Sequence, residues 1–254
     1  MYPSLNSALN WKDFSSLPEG YSICISDTTK CDGSILLPHF ISMALRSTRP
    51  TSVVFCSFSQ VYSNLLQIMK KLGLDLSSYR NNGSFLFVDG FTRLFDQNPH
   101  GNFQVSQTLN NPALHGNDSL CFQIQNILEK MPFNDRVCLI VDDISVLDAM
   151  GFEKAQIMNF LLYLQEYCQK SNGVIIILNH DTNNFYGKWM RHNSHLSIAF
   201  SELSSGFCKE IDGYVEISPA GLCTNENTNP ITLHYKAFDN AVNFFPKGLS
   251  RYVL

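Results

Sequence analysis

Two adjacent carboxylates, Asp142 and Asp143, close the apolar run Val137-Cys138-Leu139-Ile140-Val141. A strand covered on both faces reads as unbroken Val, Ile and Leu, and its first polar residues mark where the carboxyl end leaves the core. Ligands of open α/β sheets gather at that edge. In nucleotide hydrolases an Asp in this place, the Walker B position, holds Mg²⁺. A structural reading is also available, because Asp at a strand end caps the turn that follows.

The other half of a nucleotide site would be a loop of the form GxxxxGK[ST] between a strand and a helix. Glycine lets backbone N–H groups cradle phosphates there, and the Lys neutralises them. The stretch Asp27-Thr28-Thr29-Lys30-Cys31-Asp32-Gly33-Ser34 stands in that context. With Ser34 in the Ser/Thr position, Gly33 replaces the Lys, Asp32 the second Gly and Asp27 the first. Two carboxylates would then face a triphosphate and oppose it. Asp32 or Ser34 suits a helix cap instead, and Lys30 lies too early in the loop to stand in for the missing Lys. Asp32, Gly33, Ser34, Asp142 and Asp143 are read as a degenerate nucleotide site, with no cofactor expected. A divergent Mg-dependent ATPase using Asp142 or Asp143 is the competing reading.

A third group follows the apolar run Val174-Ile175-Ile176-Ile177-Leu178. The segment Asp181 to Asn193, read as a loop, carries Phe185, Tyr186, Lys188, Trp189, Arg191 and His192. Cations interleaved with rings suit RNA, the cations meeting phosphates and the rings meeting unstacked bases. Lys188, Trp189, Arg191 and His192 are the candidate contacts, and a solvated loop with its aromatics tucked down fits the same residues. His39 beside an apolar helical face reads as a satisfied buried side chain, and His180 as a strand-end cap. No GxSxG, HExxH or Cys/His spacing supports nucleophilic or metal catalysis.

The elements that must position these residues alternate. Strands are predicted at Tyr21 to Ser26, Ser52 to Ser57, Ser84 to Asp89, Val137 to Asp143 and Val174 to Leu178. Helical spacing joins Ile35, Leu36, Phe40, Met43 and Ala44, then Val61 to Leu72, then Cys121, Ile124, Ile127 and Leu128, then Ile157, Phe160, Leu161, Leu164 and Tyr167. Alternation of this kind builds a doubly wound α/β sheet. Residues before Gly20 read as a lead-in, and Asp96 to Asp118 as a long surface loop. From His195 to Phe245 short strand-like pieces broken by Gly213, the Pro219 to Asn229 loop and Asp239-Asn240 suggest antiparallel strands added at one edge.

The chain of 254 residues, 44% hydrophobic and 16% charged, fits one large domain spanning 1–254 with a core on both sheet faces. Low charge suits a chain that meets partner subunits. A net charge of -4 opposes broad, charge-driven coating of nucleic acid, so any RNA contact must be local. Eight cysteines without ligand spacing read as buried small hydrophobes in a reducing compartment. No basic leader precedes an apolar segment, and no run approaches a membrane span, so a cytoplasmic or nuclear protein without membrane contact is expected.

At this point the chain resembles a known family, that of the sixth subunit of the Elongator complex. The resemblance is carried by Lys30-Cys31-Asp32-Gly33-Ser34 leading into Pro38-His39-Phe40, by Val141-Asp142-Asp143-Ile144-Ser145-Val146-Leu147, by Ser205-Gly206-Phe207-Cys208, and by Phe244-Phe245-Pro246-Lys247-Gly248-Leu249-Ser250. It implies a RecA-like, P-loop NTPase-like domain without working Walker motifs: a mostly parallel central sheet flanked by helices, with the antiparallel strands at the C-terminal edge. It also implies a non-catalytic subunit of a heterohexameric ring built with Elongator complex proteins 4 and 5. That ring binds tRNA and supports wobble-uridine modification, with the acetyltransferase chemistry in another subunit.

Overall fold

The computed structural model describes residues 2–9, 11, 17–28, 30–95, 124, 126, 128–129, 136–181, 184–204, 206, 208–223, 229–239 and 241–247. The expected loop from Asp96 to Asp118 lies outside these residues, as do Cys121 and Ile127 of the expected third helix and Gly248-Leu249-Ser250. Nine described strands form one sheet: β1 (Tyr21–Ser26), β2 (Thr51–Ser57), β3 (Phe85–Asp89), β4 (Arg136–Asp142), β5 (Val174–Asn179), β6 (Leu196–Ser201), β7 (Gly213–Pro219), β8 (Ile231–Phe238) and β9 (Ala241–Pro246). Their order is β3-β2-β4-β5-β1-β6-β7-β8-β9. Pairing is parallel from β3 through to β6 and antiparallel from β6 to β9.

The unbroken apolar runs become the central strands because both of their faces are covered. Successive side chains point to opposite sides. Val53, Phe55, Cys138, Ile140, Ile176 and Leu178 enter one buried cluster, while Val54, Cys56, Leu139, Val141, Ile175 and Ile177 enter the other. The first is closed by α2 (Leu37–Leu45), which enters from the 3-10 turn Gly33–Leu36, and by α3 (Tyr62–Lys71). The second is closed mainly by a 17-residue helix, Lys154–Lys170, that buries Ile157, Phe160, Leu161, Leu164 and Cys168. That spacing is one face of a 3.6-residue period, and each such side chain contributes roughly 1.5–3 kcal/mol of apolar burial. Its start is set by a capping box between Glu153 and Gln156. Ile124 and Leu128 are helical and fully buried in the same cluster.

Local expectations are corrected at both the amino end and after β5. The lead-in is a docked helix, α1 (Pro3–Leu9): Leu5 has no exposed surface, and Tyr2 stacks on His39 with ring centroids 4.8 Å apart. Seven residues are too few to show a period, so only the packing reveals it. Short helices α4 (Leu76–Asn81) and α5 (Gly90–Phe95) lie after α3 and β3, and α6 (Ile144–Ala149) follows β4 before the long helix, α7.

The predicted loop at Asp181 to Asn193 is largely a helix, α8 (Phe185–His192). Asn184 caps it by accepting the Gly187 N–H at 2.7 Å, and Tyr186, Gly187 and Met190 are its buried side. Because α8 carries the chain back across the sheet, β6 pairs with β1 in parallel, and the antiparallel addition begins one strand later than expected. In β7 to β9 the alternation is plain: Val215, Ile217, Leu233, Tyr235, Val242 and Phe244 are buried, whereas Glu216 and Asn243 are exposed. The first hairpin closes tightly at Gly213, where a Cβ would meet the Ser201 carbonyl oxygen at 2.6 Å.

Candidate functional site

The carboxyl ends of β1, β2, β4 and β5 and the loop after β1 meet at one edge of the sheet. Asp27 follows β1 with 1% of its surface exposed. The Gly33 N–H donates to Asp27 Oδ2 at 2.6 Å, and His180 Nδ1 lies 2.7 Å from Oδ1. His180 follows β5, whose Asn179 is registered against Ser26 of β1, so parallel pairing delivers both side chains to the same edge. The other imidazole nitrogen, Nε2, faces Asp143 Oδ2 at 3.5 Å. The hydrogen bond to Asp27 pushes the His180 pKa up to about 9; partial burial opposes this, and the charges of Asp143 and Asp32 support it. At neutral pH His180 is an imidazolium joining carboxylates from β1 and β4.

Asp142 and Asp143, next to each other through a cis peptide bond, turn to different partners. Asp142 Oδ2 accepts from Gln60 Nε2 at 2.7 Å, Ser59 Oγ at 2.9 Å and Ser57 Oγ at 3.3 Å, all at the end of β2. Asp143 Oδ1 accepts the Ser145 N–H at 2.8 Å, which caps α6, and the Ser145 hydroxyl at 2.7 Å. Burial pushes both carboxyl groups above the ordinary range, while these donors and His180 pull them back.

The loop after β1 closes on itself. The Ser34 N–H donates to Asp32 Oδ1 at 2.8 Å, so both amides that could meet a phosphate, those of Gly33 and Ser34, are taken by carboxylates of the same loop. A Cβ on Gly33 would lie 3.0 Å from Ile25 Cγ2 and 3.2 Å from Asp27 Oδ2, so a Lys here would have to push these side chains aside. Lys30 is exposed and pairs with Glu202 at 2.6 Å. Among the described residues, no group of three or more His, Cys, Asp or Glu is arranged to hold a metal ion. A Mg²⁺-nucleotide does not fit this arrangement, because its phosphates would meet Asp27 and Asp32 in place of free backbone donors.

A cavity of about 450 Å³ remains beside these groups, lined by Ser34, Ser59, Gln60, Asn64, Asp142 and His180 together with apolar residues of α2 and α3. A larger one, about 710 Å³, opens at the opposite, amino edge of the parallel strands. Its charges already have partners: Arg49 with Glu19, Lys170 with Glu166, and Arg136 with the carbonyl groups of Leu17, Pro18 and Asn172. The buried carboxylate Asp142 and the imidazole of His180 line the smaller cavity.

The whole chain matches known proteins. The family Elongation complex protein 6 matches residues 2–239. Elongator complex protein 6 of Rattus norvegicus is 30% identical over the full length of both chains; the human protein of that name is 28% identical, again over both full lengths. The Dictyostelium discoideum protein is 22% identical over 96% of this chain and 98% of its own.

The chain belongs to the Elongation complex protein 6 family.

With that membership comes a place among the subunits of the Elongator complex. Solved structures confirm the fold alone. A KaiC-like protein of Pyrococcus horikoshii superposes with a TM-score of 0.56 at 15% identity, covering 91% of each chain. An uncharacterised protein of the same archaeon, crystallised with an unknown peptide, reaches 0.60 at 14% identity over 97% of this chain and 98% of that one. The architecture is therefore RecA-like.

The structure gathers Asp32, Gly33, Ser34, Asp142 and Asp143 at one edge and leaves the basic group elsewhere. Lys188, Arg191 and His192 are exposed along α8, Trp189 is half-buried against the second core cluster, and Phe185 is 51% exposed. Trp189 thus offers at most part of a ring to a base. Two participants were not singled out as site residues: His180, read only as a cap, and the Ser57-Ser59-Gln60 group. Their one sequence signal is position, polar residues directly after apolar strands.

Proposed function

We propose that this chain is a catalytically silent subunit of the Elongator complex, located in the cytoplasm and nucleus. It forms a RecA-like heterohexameric ring with Elongator complex proteins 4 and 5; the ring binds tRNA and supports wobble-uridine modification. The observation that carries the silent role is the Asp27 carboxylate, seated against the Gly33 N–H where a nucleotide phosphate would have to lie. Family membership and the RecA-like architecture support the assembly role. The exposed cations Lys188 and Arg191 support a local RNA contact on an acidic chain.

Two measurements test this. Purification of the tagged chain from its own cell is expected to recover Elongator complex proteins 4 and 5 with it. Isothermal titration of the chain with Mg-ATP is expected to give no binding heat. Micromolar, Mg²⁺-dependent affinity lost in Asp142→Asn would replace the silent subunit with a divergent ATPase, and purification without the two partners would remove the ring.

A further inference from the structure

We propose that Asp27 is a tethered ligand: its carboxylate fills an anion niche made by the Gly33 N–H and the His180 side chain, and holds the loop after β1 in order without any bound anion. The niche keeps the capacity to take a free carboxylate once Asp27 is removed. This rests on the silent-subunit reading only in using the same edge, and it concerns what the loop binds, not which complex the chain joins.

Three observations carry it. First, the geometry around Asp27 is that of a bound anion, with a backbone N–H on Oδ2 at 2.6 Å and imidazole Nδ1 within 2.8 Å of both oxygens. Charge-assisted hydrogen bonds are short, and these lie in that range. Second, the carboxylate is enclosed: the Asp27 side chain has 0% exposure, whereas that of His180 is 41% exposed at the mouth. A buried charge persists only when it is paired and hydrogen-bonded, and Asp27 has both kinds of partner. Third, Gly33 is shaped to the carboxylate, since any Cβ there would press on Asp27 Oδ2 at 3.2 Å. The lone backbone donor and the imidazolium were each unremarkable in the sequence. Together they form a receptor whose ligand is six residues away on the same loop.

One consequence is mechanical. In a loop that binds phosphate, order depends on the ligand being present. Here the ligand is covalently part of the chain, so its effective concentration is permanently high, and the Thr28–Cys31 bridge and the cap at Asp32 sit on a base that does not dissociate.

The experiment is chemical rescue in the full-length chain. Asp27→Gly deletes the carboxylate and leaves a void that formate can occupy. The melting temperature is expected to fall by roughly 5–10 °C. It should then rise saturably with sodium formate up to a few hundred millimolar, as binding to the native state alone requires, while sodium chloride at the same ionic strength leaves it low. Inorganic phosphate serves as a second probe. Recovery by phosphate as well would mark the niche as one that also accepts tetrahedral anions, which supports the proposal. The wild-type chain should respond to neither. A folded Asp27→Gly chain indifferent to formate would overturn the proposal, as would a wild-type chain whose melting temperature rises with formate.

If Asp27→Gly does not fold, amide exchange in the wild type decides. Gly33 should be protected to the same degree with and without formate, and an amide exchanging at the rate of an exposed loop contradicts the tethered contact. ATP titration of the wild type tests the silent role separately, so failure of either idea is visible without the other.

Discussion

Replacing His180 with Gln removes the imidazole that lies between Asp27 and Asp143 while keeping a donor that can reach Asp27. In the folded chain the imidazole pKa stands at about 9, against 6.5 for the free side chain. A displacement of that size corresponds to at most ~3 kcal/mol of preference for the charged form. His180 is 41% exposed at its side chain, so solvent screening brings the expected contribution to roughly 1–2 kcal/mol. The sign follows from linkage: a pKa raised on folding means the native state holds the proton more tightly. The contribution is complete below pH 6.5 and drains away as pH rises through about 9.

Urea unfolding of wild type and His180→Gln at half-unit steps between pH 6 and 10 measures this directly. The other groups that change protonation in this range are common to both chains and cancel in the difference. The wild type is expected to lead by roughly 1–2 kcal/mol at pH 6 and to lose most of that lead by pH 10. A gap that stays constant with pH, or that widens as pH rises, would refute the imidazolium bridge.

Other outcomes follow from the same geometry. Gly33→Ala should cost roughly 1–3 kcal/mol, because the new methyl presses on Ile25, Asp27 and Leu178 at 3.0, 3.2 and 3.3 Å; an unchanged melting temperature contradicts the close approach. Asp142→Asn should shift stability by less than about 1 kcal/mol, since the amide oxygen still accepts from Gln60 and Ser59 while a carboxylate disfavoured by burial disappears. A loss above that size in urea titration would mean the charge itself is needed. Leu5→Ala, on a side chain with no exposed surface, should cost about 2–5 kcal/mol if α1 is docked in solution, and no change in the urea midpoint would detach it. In the proposed tRNA-binding ring, Lys188→Ala with Arg191→Ala should weaken tRNA binding similarly across tRNAs and flatten its salt dependence by about two phosphate contacts per subunit. Both side chains are exposed on α8, so assembly should survive; an unchanged slope in an intact ring moves the RNA contact elsewhere.

What the sequence determined by itself was everything written in short-range pattern. The runs ending at Val141 and Leu178 announce strands buried on both faces, because they are short, rich in Val and Ile, and stop on polar residues. The spacing of Ile157, Phe160, Leu161 and Leu164 announces α7 for the same kind of reason. The unsuitability of the loop from Asp27 to Ser34 for a triphosphate was also legible, since it depends only on which side chains stand in which positions.

Tertiary structure alone decided the rest. The eight-residue α8 and seven-residue α1 are too short to show a period, and their apolar residues acquire meaning only against the sheet. The direction of β6 was decided by α8, because a helix returning across the sheet makes the next strand parallel. The partnership of Asp27 with His180 joins residues 153 positions apart. Nothing local links them; the parallel register of β1 and β5 brings their ends together, and burial then makes a carboxylate and an imidazole necessary to each other.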